Sequence, residues 1–201
     1  EDNSFNSMKA HLYSALGAVY ESQSIYKKSI EIYQQALEIN IVLNDRFLEA
    51  KILGNLGNVY QNLGQSEEAI KYLQEALRIS REIGDRRGEG RHHGNLGIIY
   101  KILVQYEEAL ESYEEALRIT IEIGDRRTEG RHHGNLGNVY QELGKNEDAL
   151  ESYEEALRIA KEIGDRISEA INCGNLGNVY QDLGQYEDAL KYYKEALRIV
   201  R

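Results

Sequence analysis

Proline and tryptophan are absent from this 201-residue chain, and cysteine and methionine occur once each. Proline normally makes up about 5% of a protein. Without it nothing removes a backbone donor from a helix interior, so long helices are permitted. The single cysteine, Cys173, allows no internal disulfide and points to a reducing compartment, hence to a cytoplasmic location. Its expected state is a small apolar residue buried on a helix face. No apolar run is long enough to cross a bilayer, and no membrane partner is expected. No secretory leader is visible, and the chain opens at Glu1 without an initiator methionine, which reads as a piece of a longer protein. Positive charge is scarce: 24 Lys and Arg face 34 Asp and Glu, a net charge of −10. This argues against nucleic acid, whose binders carry a basic footprint. No catalytic serine motif, phosphate-binding glycine loop or Cys-x-x-Cys occurs, so neither enzyme activity nor a cofactor is expected.

What the chain does have is a period. Gly54-Asn55-Leu56-Gly57 returns as Gly94-Asn95-Leu96-Gly97, Gly134-Asn135-Leu136-Gly137 and Gly174-Asn175-Leu176-Gly177, every forty residues. A weaker copy, Ser14-Ala15-Leu16-Gly17, stands forty residues before the first. A fixed period of this size marks stacked supersecondary units that share one continuous core. The expected organisation is a single solenoid over residues 1–201, with repeats at about 5–44, 45–84, 85–124, 125–164 and 165–201. The segments 85–124 and 125–164 agree at 29 of 40 positions, by recent duplication or by consensus-like design.

Each repeat reads as two helices. Gly84-Asp85, Gly124-Asp125 and Gly164-Asp165 are stop-start pairs, with Asn44-Asp45 as their first form. Glycine or asparagine accepts the left-handed conformation past a helix end, and aspartate caps the next N-terminus. In the third repeat a helix is predicted from about Arg86 to Leu103, with His93, Leu96 and Tyr100 on its core stripe. A second is predicted from about Glu107 to Ile123, after a turn in which Val104 replaces Gly64, Gly144 and Gly184.

The residues Leu56-Gly57, Tyr60, Ala69, Leu73 and Ala76, and their copies Leu136-Gly137, Tyr140, Ala149, Tyr153 and Ala156, resemble the signature of the tetratricopeptide repeat. Five copies in register carry the resemblance over nearly the whole chain. It implies an all-α, right-handed superhelical solenoid of five helix-turn-helix repeats. Two features depart from the common pattern. The family's proline late in the second helix is replaced by Arg81, Ile121 and Lys161, and the unit has forty residues instead of thirty-four. The forty-residue Gly-Asn-Leu-Gly-Asn form is similar to the repeats of the Pins/LGN adaptors, and more distantly to kinesin light chain.

In this family the first helix of each pair lines the concave surface, where partners bind. Its stripe reads Phe47, Lys51, Asn55, Asn58 and Asn62, then Arg87, Arg91, Asn95, Ile98 and Ile102. It continues as Arg127, Arg131, Asn135, Asn138 and Glu142, and as Ile167, Ile171, Asn175, Asn178 and Asp182. Asparagine is a poor helix former, so its return in mid-helix suggests a task. Its amide both donates and accepts. Asn55, Asn58, Asn95, Asn135, Asn138, Asn175 and Asn178 could hold the backbone of an extended peptide, as the Pins/LGN resemblance also implies. They could equally bridge adjacent repeats. Gly54, Gly94, Gly134 and Gly174 lie beside them, either for close approach of a ligand or for tight packing between repeats.

Lys51, Arg87, Arg91, Arg127 and Arg131 form a basic strip suited to the carboxylates of an acidic segment; pairing with Glu89 or Glu129 is the alternative. The acids gather on the second helices, as a solvated outer face. Ile98 and Ile102 offer an apolar anchor for one ligand side chain, or mark drift in one repeat. His92-His93 and His132-His133 are not expected to bind metal, because adjacent helical residues diverge by about 100° and no acidic or cysteine partner shares the motif. The expected function is a scaffold that grips an extended acidic peptide. The alternatives are a spacer that self-associates end to end through an exposed last helix bearing Ala189, Tyr193 and Val200, or the regulatory arm of an enzyme.

Overall fold

A computed structural model describes residues 3–201. Among them are ten α-helices and no strand: α1 (Asn3–Ser22), α2 (Tyr26–Leu43), α3 (Arg46–Asn62), α4 (Ser66–Ile83), α5 (Arg86–Ile102), α6 (Tyr106–Glu122), α7 (Arg126–Glu142), α8 (Asn146–Glu162), α9 (Arg166–Asp182) and α10 (Tyr186–Ile199). The predicted bounds in the third repeat are met to within one residue. Helices of this length follow from the missing proline, which would otherwise break the second helix near Arg81.

The stops and starts act as the sequence predicts. The carboxylates of Asp45, Asp85, Asp125 and Asp165 accept from the amides of Leu48, Gly88, Thr128 and Ser168. Gly84, Gly124 and Gly164 take positive φ, as does Asn44 at 52°. The amide of Asp85 reaches back to the carbonyl of Ser80 at 2.9 Å, which closes the end of α4. The second helices lack a side-chain cap. Acids in their first turn, such as Glu107 and Glu108, meet the positive helix end instead.

Val104 is the exception among the turns. It holds φ at 62° where Gly64, Gly144 and Gly184 stand in other repeats and Ser24 in the first, and its side chain is largely exposed. A β-branched residue in this region costs about 1–2 kcal/mol. Val104→Gly is therefore expected to stabilise the chain by about 1 kcal/mol once the extra freedom of glycine in the unfolded state is allowed for. Urea denaturation checks this.

The helices form two compact units, the first running to Leu103 and the second from Val104 to Arg201. In the first, α1 pairs with α2 and α3 with α4, α2 and α4 pack on the next first helices, and α3 lies beside α5. In the second, α7 pairs with α8 and α9 with α10, α6 and α8 pack on α7 and α9, and α7 lies beside α9. The boundary falls inside the third repeat, between its two helices. The fold class is the all-α, helix-pair solenoid expected from the period.

The core of the first unit runs through Tyr33, Leu48, Ile52, Leu56 and Val59, and continues through Leu73, Leu96 and Ile99. That of the second gathers Tyr153, Leu157, Cys173, Leu176 and Val179. Cys173 is fully buried, as its type predicts. The motif glycines seat the second helix: a β-carbon on Gly57 would stand 2.6 Å from Leu73, and one on Gly137 2.7 Å from the ring of Tyr153. Ser29, which replaces the usual alanine in the first repeat, donates to the carbonyl of Gly17 at 2.8 Å.

Two expectations are corrected here. Ala189 belongs to the interior face of α10; the large apolar residues exposed on α10 are Tyr186, Leu190 and Leu197, with Val200 just past its end. The fully buried histidines are His92 and His132, whereas His93 and His133 are half-buried. Position 92 lies where the helix faces the neighbouring repeat, and Ile52 and Asn172 are buried at the equivalent sites.

Candidate peptide-binding faces on the first helices

A helix that packs on one side and meets solvent on the other leaves an intermediate strip, and the asparagines occupy it. Asn55, Asn58, Asn95, Asn135, Asn138 and Asn175 are half-buried, and Asn178 is exposed. Their partners differ from repeat to repeat. In the first unit, Asn95 donates through Nδ2 to Oδ1 of Asn58 at 2.7 Å, which ties α5 to α3. This is the bridging role between adjacent repeats. Asn55 lies against the hydroxyl of Tyr33, whose phenol is pushed up chiefly by burial.

In the second unit the tyrosines take over. Tyr153 donates to Oδ1 of Asn138 at 2.7 Å and to Gln141 at 3.2 Å. Tyr193 donates to Asn178 at 2.7 Å and to Gln181 at 3.0 Å. An acceptor fixed from below turns the amide nitrogen of each asparagine away from the core. The side chains of Asn135 and Asn175 make no hydrogen bond among the described residues, so donor and acceptor are both available. Sequence reasoning missed the tyrosine contribution, although its signal was present: a tyrosine follows fifteen residues after Asn138 and Asn178. After Asn58 that position is Leu73, and Asn58 pairs with Asn95 instead.

The basic residues divide in the same way. Lys51, Arg87, Arg91, Arg127 and Arg131 are all exposed. Arg127 donates to Asp165 at 2.9 Å, on the carboxylate that caps α9. Lys51 and Arg91 meet no carboxylate among the described residues, and Arg131 reaches only the hydroxyl of Thr128 at 3.5 Å. The pairing considered for them with Glu89 and Glu129 is not made. Those glutamates are held by Arg86 and Arg81, and by Arg126. Arg127 and Arg131 border a narrow cleft in the second unit, floored by Ala156 and Ile159.

The stripe also carries apolar residues. On α5, Ile98 is half-buried and Ile102, one turn on, is 62% exposed. Phe47 and Ile167 are exposed in the first turns of α3 and α9, and Ile171 one turn further along α9. Between α7 and α9, Gln141 donates to Asp182 at 3.1 Å, a contact between repeats that the sequence did not signal. The acids Glu107, Glu108, Glu111, Glu147, Asp148 and Glu151 are exposed on α6 and α8, which are second helices.

Of the interior glycines, Gly54 serves packing between repeats, because a β-carbon there would overlap the imidazole of His92. One on Gly134 would make ordinary contact, 3.5 Å from the amide of Asn172, and one on Gly174 would meet nothing within 4 Å. The exclusion of metal rested on one premise that is now corrected: acidic residues do adjoin a histidine. Glu129, His133 and Glu155 place their ligating atoms within 4.8 Å of one another.

Stacked helix pairs with polar, solvent-facing first helices define a helical-repeat protein. The chain belongs to the tetratricopeptide repeat family. One family model, described as a tetratricopeptide repeat, matches residues 48–122 and 128–201, and a second with the same description matches residues 5–40. No curated protein sequence matches the chain. Among solved structures, BtubC from P. vanneervenii aligns with a TM-score of 0.85 at 23% identity, over 98% of this chain and 89% of that one. A putative kinesin light chain with nearly identical repeats from Podosopora anserina aligns with a TM-score of 0.78 at 19% identity, covering 94% and 93%. A signal transduction ATPase with a tetratricopeptide repeat sensor from Pyrococcus horikoshii aligns with a TM-score of 0.87 at 25% identity. That alignment covers 96% of this chain but 30% of the other. These likenesses establish the fold. The Pins/LGN similarity remains a resemblance within the family. No helix among the described residues is long and apolar enough to cross a membrane.

Proposed function

We propose that the chain is a protein-interaction module whose first helices hold an extended, acidic peptide segment. The observation that carries this reading is the set of exposed cations without an acid partner on those helices, Lys51 and Arg91 in the first unit and Arg131 in the second. The chain as a whole carries −10, and a protein with excess acid that leaves cations unpaired on one face favours a ligand of negative charge there. Asn135 and Asn175, together with the outward amides of Asn138 and Asn178, supply donors and acceptors for a peptide backbone. Ile98 and Ile102 supply an apolar contact. Segments without their own fold suit such surfaces, because they can lie along several helices at once.

The test is a paired capture from lysate with the wild type and an Arg91→Glu, Arg131→Glu variant, after circular dichroism has established equal helicity. The expected result is a set of proteins with acidic segments retained by the wild type and lost by the variant. The same catch from both would overturn the acidic-peptide reading. A second reading, self-association, is favoured by the exposed Phe5, Met8 and Leu12 on α1, Leu190 and Leu197 on α10, and Val200 just past its end. Mass that rises with concentration in static light scattering would support it, and constant monomer mass would set it aside.

A further inference from the structure

The outer side of the repeat holds a recurrent cluster that the peptide reading does not use. A glutamate early in the first helix is followed four residues later by a residue of varied type, and a second glutamate comes from the next helix. The sets are Glu49, Leu53 and Glu75 in the second repeat, Glu129, His133 and Glu155 in the fourth, and Glu169, Cys173 and Glu195 in the fifth. Residues four apart share one face of a helix, so the first two members of each set point the same way. Only the fourth-repeat set lies within one unit and brings carboxylates and an imidazole together, its ligating atoms all within 4.8 Å.

The cation beside each cluster differs. In the third repeat Arg81 fills this role. Its Nε donates to Glu89 at 2.9 Å, and its Nη2 stands 2.8 Å from Nε2 of His93. Forty residues on, the position of Arg81 is taken by Ile121, whose side chain is exposed. Forty further on it is Lys161, whose charge acts on Cys173. Glu129 and His133 thus have the same chelating arrangement as Glu89 and His93, without the guanidinium that bridges that pair. Glu129 is almost wholly buried. One of its oxygens accepts from Arg126, and the other has no hydrogen-bond partner among the described residues. His133 and Glu155 line an open groove between α6, α7 and α8, through which a hydrated ion can enter.

We propose that Glu129, His133 and Glu155 form a binding site for a divalent transition cation, with zinc the best match to the donors. Zinc accepts both imidazole nitrogen and carboxylate oxygen, and three protein ligands leave a further position to water. The ion takes the place of the positive charge that Ile121 does not provide. Arg158 competes for Glu155 and holds both of its oxygens, at 2.6 and 2.8 Å, so the ion must displace at least one of these contacts. Arg158 also donates to Glu162 at 3.0 Å, and that contact can hold it when the ion binds. Arg126 remains on Glu129 and orients it, the part that outer partners play at metal sites.

The experiment is calorimetric titration of the whole chain with zinc chloride in a non-coordinating buffer. One zinc is expected to bind per chain. His133→Leu, which copies the residue found at Leu53 in the second repeat, is expected to weaken binding by about tenfold or more. Ile121→Arg leaves all three ligands in place and restores the cation seen at Arg81, and it is expected to weaken binding to a similar extent. His93→Leu, at the pair already bridged by Arg81, is expected to leave the affinity unchanged. Circular dichroism establishes that each variant is folded. No binding by the wild type, or unchanged affinity in either His133→Leu or Ile121→Arg, would overturn the proposal.

Discussion

Below about pH 6.5 the chain is expected to lose stability steeply, by an amount on the order of 2 kcal/mol for each of His92 and His132 on reaching about pH 4.5. Both imidazoles are buried, and neither nitrogen of either ring has a hydrogen-bond partner. Burial pushes His92 down to about 3 and His132 down to about 4, with the neighbouring Arg91 and Arg131 acting in the same direction. The sign follows from proton binding. In the unfolded chain both histidines titrate near 6.5, so as pH falls the unfolded state takes up protons first and gains on the folded state. Above about pH 6.5 the rings are neutral in both states and contribute no slope. The carboxylates held low by arginines, such as Glu75, Glu155 and Glu195, lose their contribution only below the ordinary carboxylate range. The window above about pH 4.5 therefore belongs to the histidines.

The check is urea denaturation across this window for the wild type and for His92→Asn, His132→Asn. Asparagine is the residue already buried at the equivalent position 172, where it donates to the carbonyl of Ser168 at 2.9 Å and faces a glycine. The double variant is expected to keep only a smaller slope between about pH 6.5 and 4.5, from His133, whose imidazole is also pushed down by burial. An equally steep fall in the variant would exclude the two histidines as its cause.

Gly137→Ala is expected to destabilise the chain by about 2–3 kcal/mol, although alanine is favoured over glycine in a helix by about 1 kcal/mol. The added β-carbon would lie 2.7 Å from two ring atoms of Tyr153. That ring is 1% exposed, and its hydroxyl is fixed on Asn138 and Gln141. The ring cannot swing aside without breaking those bonds, so α7 and α8 must separate. Gly174→Ala is the matched control. It stands in the same repeated motif and in mid-helix, but nothing lies within 4 Å of its β-carbon. Only helix propensity acts there, and stability should rise by up to about 1 kcal/mol. Equal signs for the two substitutions, read from urea midpoints, would mean that helix contact is not what selects glycine at 137.

Gly137 and Gly174 also mark the limit of what the period could reveal. Both are motif glycines, three residues before and one residue before recurrent positions of the same pattern, yet one touches a buried ring and the other open space. Gly137 meets the second helix of its own repeat, whereas Gly174 holds the position that faces the next repeat at Gly54 and Gly134. The same limit applies to the asparagines. Their spacing placed them on the solvent strip of the first helix, where they are found. Their partners depend on whether residue 73, 153 or 193 is leucine or tyrosine, and thus on contacts between helices.

The premise that no acidic residue adjoins the histidines failed for a related reason. Adjacent residues on one helix diverge, which disposes of a chelate between His132 and His133. It does not address Glu129, one turn before His133, or Glu155 on α8. A pairwise test within one motif cannot see a third ligand supplied by another helix.

By itself the sequence determined the ten helices, their caps and turns, the repeat family and, apart from the paired histidines and Ala189, the faces of the residues it singled out. These depend on local physics: backbone freedom at Gly84 or Asn44, the capping oxygen of Asp85, and apolar residues at helical spacing. The tertiary structure alone decided which cations stay unpaired, which glycines are in contact, that His92 is buried without partners, and that Glu129, His133 and Glu155 converge. Each of these depends on how side chains of different helices pack, within a repeat or between repeats, and periodicity along the chain carries no record of it.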